Sequence, residues 1–175
     1  MLTSKSNKGV TLIELIIVIV ILGIMAVTAA PRFIDVSSDA NIAKLKALEG
    51  TIKSGANLVR AKAIVQGLYN RNGFIGVDID NDGNGDVMIF SSYPAVGGQC
   101  RFFISGLPYW IDINLPVTCI SGVASSDDWY GIISTQTFDF MPAGITSISQ
   151  GCYLRYTEPL FFGGSFSTSL ITSGC

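Results

Sequence analysis

The spacing of hydrophobic positions changes twice along the chain. From Val10 to Ala30 they run almost unbroken, VTLIELIIVIVILGIMAVTAA, with one charge at Glu14. At about 1.5 Å per residue this makes roughly 32 Å of helix, close to the ~30 Å hydrocarbon core of a bilayer. After Pro31 the apolar residues thin to three- and four-residue steps: Leu45, Leu48, Ile52, Ala56, Val59 and Ala63. Lys44, Lys46, Lys53, Arg60 and Lys62 flank that stripe, the pattern of an amphipathic helix with one buried face. The spacing predicts one long helix from about Val10 to about Tyr69. Its first half (10–30) suits lipid or a fibre core, and its second half (31–70) packs on the rest of the chain. Gly23 and Pro31 are its weak points, because Pro31 removes a backbone hydrogen bond and Gly23 lowers helix propensity.

From residue 71 onward the spacing shortens again. Fourteen of the 19 glycines and 16 of the 18 aromatic residues lie in this part. Short apolar runs alternate with Gly, Pro, Ser and Asp, as antiparallel strands with tight turns require. The candidate strands are Val87–Phe90, Arg101–Ile104, Tyr109–Ile113, Trp129–Ser134, Cys152–Tyr156 and Phe166–Ile171. The expected fold class is α+β, a long N-terminal helix packed on an antiparallel β-sheet head (71–175).

Composition removes most chemistry. Histidine is absent, which excludes Ser-His, Cys-His and His-metal schemes. Neither a phosphate-binding Gly-x-x-x-x-Gly-Lys nor a Cys-x-x-Cys occurs. An enzyme is not expected. Net charge is −2, so a nucleic-acid partner is not expected either. The charge is divided, +2 over Val10–Asn70 and −6 over Arg71–Cys175, which suits either head-to-stalk contacts between neighbours or an ordinary solvated surface.

Glu14 is the anomaly of the apolar run. A carboxylate there costs about 2.5–3.5 kcal/mol on membrane-insertion scales, so it needs a role. The leader 1–9 is polar and carries Lys5 and Lys8. The run fits a signal anchor, a signal peptide cut near Thr28-Ala29-Ala30, or a leader cut after Gly9. Only the third gives Glu14 a partner. A cut after Gly9 frees an α-ammonium on Val10, about one helical turn from Glu14. The two pair within one chain or between neighbouring copies, and pairing between copies also sets axial register.

Lys8-Gly9-Val10-Thr11-Leu12-Ile13-Glu14 followed by aliphatics resembles the signal of type IV pilins and pseudopilins. The resemblance implies cleavage after Gly9 by a prepilin peptidase and N-methylation of Val10, although the family usually has Phe at that position. It also implies that the helix stretches or melts near Gly23–Pro31 in a fibre; the residues alone allow a mere kink. Ala29-Ala30-Pro31-Arg32-Phe33 resembles the mannose-sensitive haemagglutinin class in particular. The similarity covers about the first 60 residues. It implies a subunit that starts as a single-pass inner-membrane protein and ends in an extracellular fibre used for attachment. The implied partners are other copies of itself and the pilus assembly machinery, with surface glycans as candidate ligands. Trp110 and Trp129 have the ring faces for sugar stacking, but core packing is the more ordinary use. The alternatives are a type II secretion pseudopilin and, from another class, a secreted or anchored calcium-dependent binding module.

The head holds Cys100, Cys119, Cys152 and Cys175. An even count beyond a membrane reads as two disulfides, and three pairings exist. Cys100–Cys119 and Cys152–Cys175 each close a short loop and are the expected pair, and the family resemblance supports a C-terminal disulfide loop. The acidic loop 78–86 places Asp78, Asp80, Asp82 and Asp86 at positions 1, 3, 5 and 9, with Gly83 at the turn. This resembles the start of a Ca2+ loop. Position 12 is Ile89 rather than Glu, so an EF-hand is excluded. A plain Asp/Asn/Gly hairpin loop between Gly73–Val77 and Val87–Phe90 remains the alternative.

Overall fold

The computed structural model describes residues 11–69, 71, 73–97, 100–113, 115 and 123–175, with 28–35 and Cys100 described by backbone only. The chain divides into two compact units, residues 1–39 and 40–175.

Helix α1 runs from Leu12 to Val65 and stays helical through Gly23 and Pro31. In the first unit its apolar side chains from Leu12 to Val27 are exposed, most of them by half or more. Among the described residues, no helix is long and apolar enough to cross a membrane. The apolar stretch with described side chains is only Leu12–Val27, and Val10 and the side chains of 28–30 lie outside it.

In the second unit, α1 buries the stripe Leu45, Leu48, Ile52, Ala56, Val59 and Ala63. The helix stops four residues earlier than its periodicity predicts. Gly67 has φ +70°, the Leu68 amide donates to the Ala63 carbonyl (2.8 Å), and the Gly67 amide donates to Ile64 (3.0 Å). This is a Schellman stop, which needs a left-handed residue that glycine adopts without strain.

Two antiparallel sheets follow. The first holds β1 (Ile75–Val77), β2 (Val87–Phe90) and β3 (Tyr93–Pro94) in that order. The second is a meander of β4 (Val123–Ser125), β5 (Trp129–Ile133), β6 (Thr137–Pro142), β7 (Tyr153–Thr157) and β8 (Ser167–Ile171), each paired with its sequence neighbour. Its central strand, β6, is buried along nearly its whole length. The Phe138 and Phe140 rings pack side by side, tilted by 51° with centroids 4.6 Å apart, in an aromatic core shared with Phe103 and Tyr156. A Cβ on Gly131 of β5 would stand 2.4 Å from the Phe138 ring, so that glycine makes the room for the ring.

Two expected strands are corrected. Cys100–Gly106 is a helix, α2, and Leu107–Tyr109 is a 3-10 turn. In Arg101-Phe102-Phe103-Ile104 burial falls on Phe103, Ile104 and Leu107, while Phe102 is 54% exposed. That is helical spacing, and a four-residue apolar run is too short to show it. The Trp110 and Ile111 amides both donate back to Leu107, so this part of Tyr109–Ile113 has local bonds instead of a ladder. The backbone here lies close against α1. A Cβ on Gly55 would come within 2.0 Å of the Trp110 carbonyl oxygen.

Strand β6 falls in a gap between the expected strands. TFDFMP alternates poorly because its Asp139 is buried. Asp139 stands opposite Arg155 of β7 and accepts from Nε (2.7 Å) and Nη2 (2.8 Å). The bidentate pair satisfies the buried carboxylate and raises the Arg155 pKa, chiefly through the hydrogen bond to Asp139.

Candidate functional site

The start of α1 is a capping box. Thr11 is the cap and Glu14 lies at the third helical position. The Thr11 amide and hydroxyl both donate to Glu14 Oε2 (2.9 Å each), and the Glu14 amide donates to Thr11 Oγ1 (3.3 Å). Two helix-end donors without intrahelical partners are satisfied reciprocally. The sequence carries the signal for this, Thr-x-x-Glu before an apolar run. Glu14 thus has a role in the cap besides the expected pairing with the Val10 ammonium. Gly9 and Val10 lie outside the described residues, as does any pairing with them.

The acidic loop joins β1 to β2, whose last rung is Val77 opposite Val87. Its carboxylates first organise the loop's own backbone. Asp78 accepts from the Asn81 amide (2.6 Å) and the Gly83 amide (2.9 Å). Asp86 Oδ2 accepts from the amides of Ile79 (2.7 Å) and Asp80 (3.3 Å). Asn81 and Gly83 take φ +67° and +94°, the left-handed conformations that let the chain wrap this tightly. Beyond the end of α1, Gln66 clamps Asp78 through its backbone, Nε2 donating to the carbonyl and Oε1 accepting from the amide (3.2 Å). Lys62 donates to Asn81 Oδ1 (2.9 Å).

Among the described residues, oxygens of Asp78, Asp80 and Asp86 lie within 4.8 Å of one another. Asp82 is not in this group. Its oxygens accept from the side chain (3.0 Å) and amide (2.8 Å) of Asn84, which hold its pKa below the usual range. The Tyr109 phenol lies beside the loop, and the negative field, led by Asp86, raises its pKa. Ile89 is buried in β2 and offers no ligand.

Cys152 and Cys175 form a disulfide with a Cα separation of 4.7 Å. The Gly174 amide donates to the Gly151 carbonyl (3.0 Å), so the chain end is held by its backbone as well. Cys119 and the side chain of Cys100 lie outside the described residues. Trp110 is buried, and Lys44 Nζ sits 5.9 Å from the centre of the Trp129 ring.

Residues 4–30 match the prokaryotic N-terminal methylation motif. The chain is 48% identical over 59 residues to PilA5, the major component of the type IV narrow pilus of Thermus thermophilus. The aligned part is 33% of this chain and 51% of that protein, so the chain spans about half the length of the curated relative it matches. No solved structure matches. The chain carries a type IV prepilin signal at residues 4–30 and is type IV pilin-like over about a third of its length, in an α+β fold.

Proposed function

We propose that this chain is the structural subunit of a type IV pilus, of the mannose-sensitive haemagglutinin class, and not an enzyme. The precursor sits in the inner membrane as a single-pass protein. Prepilin peptidase removes residues 1–9, Val10 is N-methylated, and the assembly machinery stacks the subunits into a surface fibre used for attachment. The observation that carries this reading is the exposed apolar wall of α1 from Leu12 to Val27 within the methylation motif. A continuous apolar surface of that size must be covered, first by lipid and then by other copies.

In this reading Glu14 works through its charge, pairing with the Val10 ammonium of a neighbour when the fibre forms. Glutamine at the same position keeps the capping box but carries no charge. Glu14→Gln and Glu14→Ala are therefore both expected to reduce surface fibre at least tenfold, measured in sheared surface material. Wild-type fibre yield from Glu14→Gln would reduce Glu14 to a cap. The intact mass of the sheared protein is expected to fit Val10–Cys175 plus one methyl group. A chain starting near Ala30 would mean ordinary signal-peptide cleavage. A Val10-started form confined to membranes would favour the pseudopilin.

The acidic loop is proposed to hold Ca2+ through Asp78, Asp80 and Asp86. Their 4.8 Å spread is about twice the 2.3–2.6 Å calcium–oxygen distance, so the three oxygens fit around one ion. The ion would offset the mutual repulsion of the carboxylates. Millimolar Ca2+ is expected to raise the melting temperature relative to chelator, and Asp80→Asn to abolish the difference. Equal melting in both conditions leaves a hydrogen-bonded hairpin loop.

A further inference from the structure

The loop between β7 and β8 presents Leu160, Phe161 and Phe162 to solvent, 62%, 68% and 45% exposed. Such a run of three is not needed to close a hairpin, for which polar residues serve better. It is held in place rather than left as a tail. The Gly163 amide donates to Ser91 Oγ (2.8 Å), and the Gly164 amide donates to the Phe161 carbonyl (3.0 Å). The result is a fixed apolar knob.

The same unit carries a groove of about 580 Å3 between α1 and the segment after the 3-10 turn. Gly50, Ser54, Leu58, Trp110, Ile111 and Asp112 line it. Half-exposed Leu58 gives it an apolar wall, the largely buried Trp110 and Ile111 form its floor, the small Gly50 and Ser54 give it depth, and Asp112 stands exposed at its edge.

Knob and groove lie on different flanks of α1. The knob side is fixed by Thr168 of β8, which donates to Glu49 (2.9 Å), and by Arg60, which donates to the Tyr93 hydroxyl (2.8 Å). At about 100° per residue, Glu49, Lys53 and Arg60 cluster on one side of the helix, and Gly50, Ser54 and Leu58 lie roughly 120° around it. The knob of one copy therefore cannot fill its own groove. Charge agrees with a second copy as the occupant. Arg60 lines the cavity under Gly163 and Gly164, and Asp112 lines the groove. Area limits the strength of the contact. The knob exposes on the order of 300 Å2, well below the ~800 Å2 per partner of a stable complex. The contact forms only where another force already holds the copies side by side.

We infer that Leu160, Phe161 and Phe162 of one copy dock into the Leu58–Trp110–Ile111 groove of the next, as a head-to-head contact within the fibre. The contact joins two different patches, so it propagates without closing. It rests on the proposed fibre, whose N-terminal helices bring the heads together.

The experiment is cysteine cross-linking in sheared, purified fibres of the full chain carrying Phe161→Cys and Leu58→Cys together, with each single variant as control. Mild oxidation is expected to give a ladder of dimers, trimers and higher species in non-reducing electrophoresis, and none from either single variant. Abundant fibres without cross-links overturn the contact and leave the fibre reading standing. Dimers from Phe161→Cys alone mean a knob-to-knob contact and also overturn it. Absence of fibres from the wild-type chain overturns both readings. Where the double variant does not reach the surface, Phe161→Ser decides. Its fibres are expected to dissociate at a several-fold lower detergent concentration, with the melting of the head unchanged, and dissociation identical to wild type overturns the contact.

Discussion

Glu158 follows β7, is buried, and accepts from the amides of Val96 (2.5 Å) and Gly97 (2.9 Å). Burial raises its pKa, and the two amide bonds only partly offset that. The folded state thus binds a proton at higher pH than the unfolded chain does. The ionised carboxylate costs stability at neutral pH, and the cost falls away as pH drops through the raised value toward the ordinary carboxylate range. Glu158→Gln keeps an acceptor for both amides and removes the charge. Its melting temperature is expected to equal or exceed that of wild type at neutral pH and to respond less to mild acid, as thermal melts across that range will measure. At the same scale, Gly131 has no room for a methyl group under the Phe138 ring. Gly131→Ala is expected to destabilise the head by about 1–3 kcal/mol through overpacking, read from denaturant unfolding.

The elements of the head are held by close backbone approaches as much as by side chains. At Gly55, α1 meets the Trp110 carbonyl so closely that even alanine must push the two apart. Alanine is the better helix former by about 1 kcal/mol, so propensity alone predicts that Gly55→Ala stabilises α1. The contact predicts the opposite, a net loss of about 1–3 kcal/mol, because a backbone atom cannot swing aside as a long side chain does. The same unfolding measurement decides the sign. At the other end of the unit, the Cys152–Cys175 bridge spans 23 residues and encloses β7 and β8. Serine at both positions is expected to cost about 3 kcal/mol in the loop-entropy model, lowering the melting temperature by roughly 6–12 °C for a chain of this size.

For the whole molecule, the division of surface is the main physical fact. The second unit encloses an aromatic core, while α1 before residue 28 buries none of its described side chains. That part of the helix gains hydrophobic stabilisation only when something covers it, which in the proposed assembly is lipid and then other copies. In the proposed fibre that helix is buried again and again along the axis, so small contacts between heads need not hold a pair together in free solution. The proposed fibre, the proposed Ca2+ site and the inferred knob contact are separable for this reason. Losing the first is expected to abolish surface material, losing the second to lower melting, and losing the third to weaken fibres that still form.

The local readings came from the sequence alone: the apolar run, the methylation signal, the amphipathic stripe from Leu45 to Ala63, the acidic hairpin loop and the α+β class. Each depends on residues close in sequence, where period and composition act directly. Only the tertiary structure decided the rest. Cys100–Gly106 became a helix because Phe103, Ile104 and Leu107 turn together onto the core, which a four-residue run cannot show. Strand β6 was hidden because its buried Asp139 reads as a surface residue until Arg155 is placed opposite. Asp78, Asp80 and Asp86 converge without Asp82 because the loop's own backbone bonds turn them together, while the fit of Gly55 to Trp110 and the separation of knob from groove depend on where distant segments meet. Sequence spacing fixes periodicity, but contacts between distant segments are set by packing of the folded unit.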